Sequence, residues 1–343
     1  MTSPRDPPTV CVVIPTHRRL RSLLGVLDAL AAQDYPCELL QIIIVVDGDP
    51  TTAERVTRRP GVQVLTQARG GPAAARNAGI AQARGDLVLF MDDDVVPAPW
   101  CVQRHVDAHA GRLDVVVIGP LLPSRDGSSD SPWVRWEART LERQYADMEA
   151  GRWSATPRQF YTGNASVRRE HLVRLGGFNT ALRRAEDVEL GLRLRDLGVS
   201  FEFHRAATAH HEASRSYRSW VDAAREYGRV DAIMGTRLGR PEVLEWAAEE
   251  FHERHPLTRL AVLLGRRHDW LTSVVPWVAA PLAQAALRCR LGALSDALCG
   301  GVFNLLYWKG VDDQLGRRPA EGPVAGPQPI GGDQARAVLR GPR

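Results

Sequence analysis

Residues 85–94 read GDLVLFMDDD, and the fold follows from how that run is taken. Leu87 to Met91 is an unbroken apolar stretch closed by acids, which reads as a short strand buried on both faces. The same reading applies at Val10–Ile14, Ile42–Val46, Val62–Thr66 and Val115–Gly119. Helical stretches such as Arg18–Gln33 and Pro72–Arg84 lie between several of them. Pro72 suits a first helical turn, where its missing N–H would be unpaired anyway. Buried strands alternating with helices predict an α/β fold with a mostly parallel sheet covered on both faces. Ligands of such sheets bind beyond the carboxyl ends of the strands. Asp92, Asp93 and Asp94 stand at that edge.

Beyond this first third, Ser131 to about Gly235 is mixed. It holds a Trp-rich helix (Trp133, Trp136), a loop at Tyr161–Ser166, a helix near Glu186–Leu197, a strand at Phe201–His204 and a helix from about Arg215. Pro241–Gly316 reads as helical. The expected division is a disordered N-terminus (1–9), a main domain (10–235, split into halves 10–120 and 121–235), a helical C-terminal region (236–316) and a disordered, Gly/Pro/Arg-rich tail (317–343). Leu271–Leu287 is apolar, but it is shorter than the ~20 residues a spanning helix needs and carries Pro276, Pro281 and Gln284. Leu291–Trp308 contains Asp296 and Asn304. Two readings stand: helices packed in a C-terminal subdomain, or peripheral membrane contact through 257–310. In the second, Arg266, Arg267, Arg288, Arg290, Trp277 and Trp308 would serve as interfacial anchors.

Composition narrows the chemistry. The formal charge of +4 suits anionic small molecules or an anionic membrane surface, and no basic stripe dense enough for nucleic acid is present. Lys309 is the single lysine and precedes Gly310, which excludes a P-loop and argues against Schiff-base chemistry. The five cysteines are scattered without a CxxC pair, so a reducing cytosol is expected and a zinc site or disulfide framework is not. Met1–Pro8 lacks the apolar core of a signal peptide. A cytoplasmic location follows, with the inner face of the plasma membrane as the variant if the C-terminal helices touch lipid.

Three carboxylates at a strand end repel one another, so a positive partner is expected. In an extended chain Asp92 and Asp94 would share one side and Asp93 the other. A hard divalent cation, Mg²⁺ or Mn²⁺, fits such oxygen ligands; a solvated acidic turn is the plainer alternative. Other polar groups fall at the same edge: VVIPTHRR (12–19), IIVVDGD (43–49) and the helix opening GGPAAARNAG (70–79).

With TGNASVRRE, LGGF and AEDVELGLRL, these pieces resemble a family-2 glycosyltransferase of GT-A fold, over roughly residues 10 to 235 and in family order. The departure is Val-Val-Asp-Gly-Asp at the second strand, where Val-Asp-Asp-Gly-Ser is common. The resemblance implies that Pro15, Thr16 and Arg18 line the nucleoside pocket, that Asp47 hydrogen-bonds the nucleobase, and that Arg76 reaches the nucleotide. It makes Asp92 and Asp94 the Asp-x-Asp metal pair, Asp94 being favoured as direct ligand, and gives Asp93 to the ribose or sugar. It puts Gly163 and Asn164 beside donor sugar and acceptor. Glu186 falls on the donor side, Asp187 is the catalytic base, and His210 completes the metal site. His17, His105 and His109 are left structural, and Trp133, Trp136 and Trp153 are assigned to the core.

The implied function is inverting transfer of a sugar from a UDP-, GDP- or dTDP-sugar to a hydroxyl acceptor, metal-assisted. The alternatives are a nucleotidyltransferase, disfavoured by the lack of a Gly-rich basic loop after the first strand, and a non-catalytic nucleotide- or sugar-binding protein. The absence of GxGxxG after that strand disfavours a dinucleotide oxidoreductase.

Overall fold

A computed structural model describes residues 7–124 and 131–316. The tail from Arg317, and residues 1–6 of the expected N-terminal segment, lie outside the described residues. Thr9 is described and is fixed by hydrogen bonds to the Asp86 carboxylate.

The elements run in order β1 (Val10–Thr16), α1 (Leu20–Ala31), β2 (Leu40–Asp47), α2 (Pro50–Val56), β3 (Val62–Gln67), α3 (Gly71–Gln82), β4 (Leu87–Met91), β5 (Val95–Pro97) and α4 (Cys101–His109). Next come β6 (Val115–Ile118), β7 (Leu121–Pro123), α5 (Pro132–Glu149), β8 (Asn164–Arg168), α6 (Arg169–Leu175), α7 (Glu186–Asp196), β9 (Ser200–Phe203) and β10 (Ala209–His211). Five helices end the chain: α8 (Tyr217–Arg237), α9 (Pro241–Glu253), α10 (Pro256–Arg267), α11 (Asp269–Arg288) and α12 (Gly292–Leu315).

The main sheet has the order β3-β2-β1-β4-β8-β6-β9, parallel except for β8, which runs against both β4 and β6. A small second sheet has the order β5-β10-β7. Both faces of the main sheet are buried, and the strand period divides the core. Val12, Ile14, Leu89 and Met91 pack on the α1 side with Leu23, Val26 and Leu30. Val13, Val88 and Phe90 pack on the α3 side with Ala73 and Ile80. Each fully buried aliphatic contributes about 1.5–3 kcal/mol, so the five-residue apolar run of β4 fixes the centre of the sheet. Gly79 lets α3 lie directly on β1, because a Cβ there would collide with Val13.

The chain divides into two compact units. The first takes in 7–124 and 142–212, the second 131–141 and 213–316. This differs from the expected boundary at 235. α8 belongs with the C-terminal helices because its apolar face, Trp220 and Ala224, packs with Val302 and Leu306 of α12. Gly228 and Gly310 allow close approach: a Cβ at either would meet the backbone of the other helix. Trp136 meets Trp220 edge-on at 5.8 Å, and the Trp133 indole donates to the Arg215 carbonyl, as core residues do. Trp308, expected as an interfacial anchor, is buried instead against Phe251 at 5.2 Å.

Candidate active site

The parallel strands deliver their carboxyl ends to one edge of the first unit. β8, being antiparallel, brings its amino end to the same edge, with Asn164 opposite Met91. β4 stops at Met91, and the chain then turns, the Val95 N–H donating to the Asp92 carbonyl at 3.1 Å. The turn ends the strand alternation that would have paired Asp92 with Asp94. Asp93 and Asp94 instead share a partner, and Asp92 points elsewhere.

That partner is Arg19, just beyond β1. Its guanidinium lies against Asp94 and 3.4 Å from Asp93. Thr16 at the end of β1 donates to Asp93 at 2.7 Å. Burial foremost pushes the Asp93 carboxyl up to about 6, against the Thr16 bond and the Arg19 charge. Burial also acts on Asp94, but its contacts with His211 and Arg19 outweigh it and hold the carboxyl below the ordinary range.

Asp92 accepts from Arg76 at 2.9 Å. Arg76 projects from α3 and is buried; its other terminal nitrogen donates to Glu186 at 2.8 Å. A single guanidinium thus ties the end of β4 to the start of α7. The tie is braced by Asn77, whose side-chain amide exchanges hydrogen bonds with the Phe178 backbone at 2.9 and 2.7 Å. The Phe178 ring lies 5.7 Å from the Arg76 guanidinium carbon. Beside Glu186, Asp187 is pushed up to about 7, by burial first and by the Glu186 charge second, with Arg76 opposing.

Two non-glycine residues at this edge have left-handed backbone, Arg18 at φ 56° and Ala185 at φ 53°. Each immediately precedes a charged site residue, Arg19 and Glu186. Such conformations cost of order 1–3 kcal/mol and collect at functional sites.

Asp47 closes the edge at β2. Its carboxylate accepts from the backbone N–H groups of Gly70 (2.7 Å) and Gly71 (2.9 Å) at the start of α3, and from Gln67 at 2.9 Å. Burial raises its pKa, but these bonds win and lower it.

A model of glycosyl transferase family 2 matches residues 11–185, about half the chain. The chain belongs to glycosyl transferase family 2. It is 28% identical over 233 residues to a pre-mycofactocin glycosyltransferase of Mycobacterium tuberculosis, covering 66% of this chain and 48% of that protein. It is 30% identical over 228 residues to a validoxylamine A glucosyltransferase of Streptomyces hygroscopicus subsp. jinggangensis, covering 58% and 54%. The chain therefore spans about half the length of these curated relatives. In fold it is similar to a mannosyltransferase from Pyrobaculum calidifontis solved with GDP-Man and Mn²⁺, at TM-score 0.54 and 21% identity over 89% of both chains. It is also similar to S. aureus TarS 1–349 solved with UDP, at TM-score 0.50 and 17% identity over 93% and 95%. The fold is GT-A.

Set against the family's pattern, most of the expected residues converge: Thr16, Asp47, Arg76, Asp92, Asp93, Asp94, Glu186 and Asp187 meet at the sheet edge, and Pro15 precedes Thr16 on β1. Gly163 also belongs there, since a Cβ on it would lie 3.1 Å from an Asp92 carboxylate oxygen. Two expectations are corrected. Asn164 does not face a ligand; it is fully buried, with its amide donating to the carbonyls of Pro120 and Ala207 and its oxygen bonded to His105. Of the two histidines on β10, His211 lies 3.5 Å from Asp94, while His210 turns away to the Pro123 carbonyl at 3.0 Å. Neighbours on a strand face opposite ways, so a one-residue choice decides which one reaches the acids. Arg18 is exposed and engages the edge only through its N–H, 3.2 Å from Asp49. Arg19 was not anticipated, and within the His210–His211 pair the choice fell on the wrong neighbour; the doubled basic residues at 18–19 were the available signal for Arg19.

Five of the edge's carboxylates, Asp92, Asp93, Asp94, Glu186 and Asp187, have only the guanidinium groups of Arg19 and Arg76 beside the His211 imidazole, and two of them have raised pKa values, so the edge lacks positive charge. Among the described residues no three His, Cys, Asp or Glu side chains form a closed metal cage. A carboxylate and an imidazole 3.5 Å apart fit a divalent cation that takes its remaining ligands from phosphate and water.

Proposed function

We propose that the chain transfers a sugar from a nucleotide-diphosphate sugar to a hydroxyl acceptor, with inversion at the anomeric carbon. The observation that carries the reading is the Arg76 tie, which brings the carboxylates after β4 beside those opening α7. A donor held by the first group then meets a base in the second.

Asp47 keeps unused acceptor capacity after its three hydrogen bonds and offers it to a nucleobase N–H, as uracil, thymine and guanine present. Pro15, Thr16 and the Arg18 backbone flank the nucleoside. Asp94 and His211 would hold Mg²⁺ or Mn²⁺, which when bound supplies positive charge to the departing diphosphate. Gly163 leaves room beside Asp92 for the donor sugar.

The acceptor oxygen attacks the anomeric carbon as the bond from that carbon to the phosphate oxygen breaks. The bonding pair leaves on the nucleoside diphosphate, and the hydroxyl proton passes to the Asp187 carboxylate. A carboxyl raised to about 7 is a far better proton acceptor than an ordinary aspartate. The acceptor class is a glycan, a lipid-linked sugar or a small-molecule hydroxyl.

The test is incubation with UDP-, GDP- and dTDP-sugars and Mn²⁺, followed by mass spectrometry of nucleotides and sugars. Release of one nucleoside diphosphate with a defined sugar is expected. No turnover and no metal-dependent nucleotide binding from any of them, by folded protein, would overturn the proposal.

A further inference from the structure

The second unit carries an apolar face that its own core leaves outside. α11 is apolar on two sides. One stripe, Pro276, Ala279, Ala283 and Ala286, is buried in the helical bundle. The other, Trp270, Val274, Trp277, Val278 and Leu282, is exposed, Trp270 by 61%. α10 repeats the arrangement, with Val262 and Gly265 buried and Leu257, Leu260, Leu263 and Leu264 exposed. Single exposed leucines are ordinary, but successive turns of them on adjacent helices mark an interaction surface.

Charge identifies the partner. Residues 256–294 hold five arginines and one acid, Asp269, which is paired with Lys309. Arg267, Arg288 and Arg290 have no acidic partner among the described residues, whereas most arginines of the first unit's edge and of α8 do. Apolar turns with Trp, bordered by unpaired arginine, match a bilayer interface, where indole and the arginine stem sit at headgroup depth and the guanidinium meets phosphate. A second copy of this chain would set arginine against arginine. Residues 317–343 contain five arginines and two acids, so they are no complement either.

We infer that the exposed face of α10 and α11 docks on an anionic lipid surface, lying in the interface without crossing it. α11 is long and apolar enough to span, with mean hydropathy 1.3 over its window. Its alanine stripe, however, is already committed to the bundle. Tyr217 of α8 also donates to the Pro276 carbonyl, tying α11 to its neighbour. This inference stands independently of the donor chemistry.

The test is flotation of the full chain with vesicles of phosphatidylcholine alone or with phosphatidylglycerol added. Recovery with the anionic vesicles is expected, at least about tenfold above the neutral ones and reversed by high salt, as counter-charge screening requires. The variant Leu257→Ser/Leu263→Ser/Trp270→Ser/Leu282→Ser, all at exposed positions, loses flotation by a similar factor while its circular dichroism and nucleotide binding stay unchanged. Arg267→Gln/Arg288→Gln/Arg290→Gln loses the preference for anionic vesicles. The inference is overturned if the unaltered protein ignores anionic vesicles, if the serine variant floats as well as it does, or if the lipid-free chain is a dimer that the serine changes dissociate.

Discussion

Two polar clusters border the start of β8, a rear one between β8 and α4 and a front one at the sheet edge, and they are built on opposite principles. In the rear cluster, His105 and His109 of α4 form a neutral network with Asn164 and Ser166 of β8. His105 bonds Ser166 at 2.8 Å and Asn164 at 2.9 Å, and His109 bonds Ser166 at 2.9 Å. In front, five carboxylates share Arg19 and Arg76. The rear cluster has nearly every donor matched to an acceptor, as buried polar groups in a finished core must. The front cluster holds more negative charge than its cations neutralise, and its surplus shows as the raised values of Asp93 and Asp187. Matched polarity holds the strand in place; unmatched charge leaves something for a ligand to complete.

The sharpest way to break that distinction is Asp187→Asn. It removes the proposed proton acceptor and keeps the shape, so transfer should fall by roughly 10²–10⁴-fold, with nucleotide affinity little changed by calorimetry. Because the carboxylate is the working form, the rate of the unaltered protein should climb as pH rises through about 7. A variant with full activity would remove Asp187 from the chemistry and leave the front cluster a structural one.

Asp94→Ala and Arg19→Gln separate the two kinds of positive partner. If a divalent cation completes the front cluster, Asp94→Ala should abolish any gain in nucleotide affinity from Mn²⁺. Arg19→Gln should retain that gain, because it removes a competing cation and not a ligand. It should also lower the melting temperature in metal-free buffer, where Asp93 and Asp94 lose their counter-charge. Loss of the Mn²⁺ effect in Arg19→Gln would mean that the arginine itself binds the phosphates.

The sheet was legible because each central strand is buried on both faces and therefore appears as an unbroken apolar run. The site's edge was legible too, since parallel strands place their closing acids together. What failed locally were matters of one residue. The turn after Met91 regrouped the three aspartates; the left-handed Arg18 handed the contact to Arg19; the pleat of β10 chose His211. Asn164 was misplaced for a different reason. Its segment read as a loop, but it pairs as β8 between β4 and β6, 73 residues after the β4 partner in the Met91–Asn164 pair, and no local pattern encodes so distant a partner.

At the rear cluster, effects should fall on stability and not on turnover. Ser166→Ala strips both histidines of a hydrogen bond in a buried site, which costs about 1–3 kcal/mol. Chemical denaturation should show that loss while the turnover number of the folded fraction stays unchanged. A matching loss of turnover would show that the network shapes the front cluster as well.

The smallest effect is a slope. Asn164 donates both amide hydrogens, so its oxygen only accepts and the His105 Nε2 must carry a proton. The His105 Nδ1 is then bare and takes the Ser166 hydroxyl hydrogen, which leaves the serine oxygen to accept from His109 Nε2. Both nitrogens of His105 are thus engaged in one neutral tautomer, and the buried His109 Nδ1 has no hydrogen-bond partner among the described residues, so a second proton there would be a buried donor without an acceptor. Burial foremost lowers His105 to about 4 and His109 to about 3, from the usual 6.5. Below pH 6.5 the unfolded chain therefore binds protons that the folded chain refuses. The stabilisation is complete above that pH and drains away as pH falls toward the folded values, by about 1.4 kcal/mol per unit for each ring. Carboxylates add their own acid slope, so the measurement is a difference. His109→Gln should be less stable at neutral pH and should lose less on going from pH 6.5 to 4.5. Parallel curves for the two proteins would mean that His109 is already charged in the fold and that the rear cluster is not neutral.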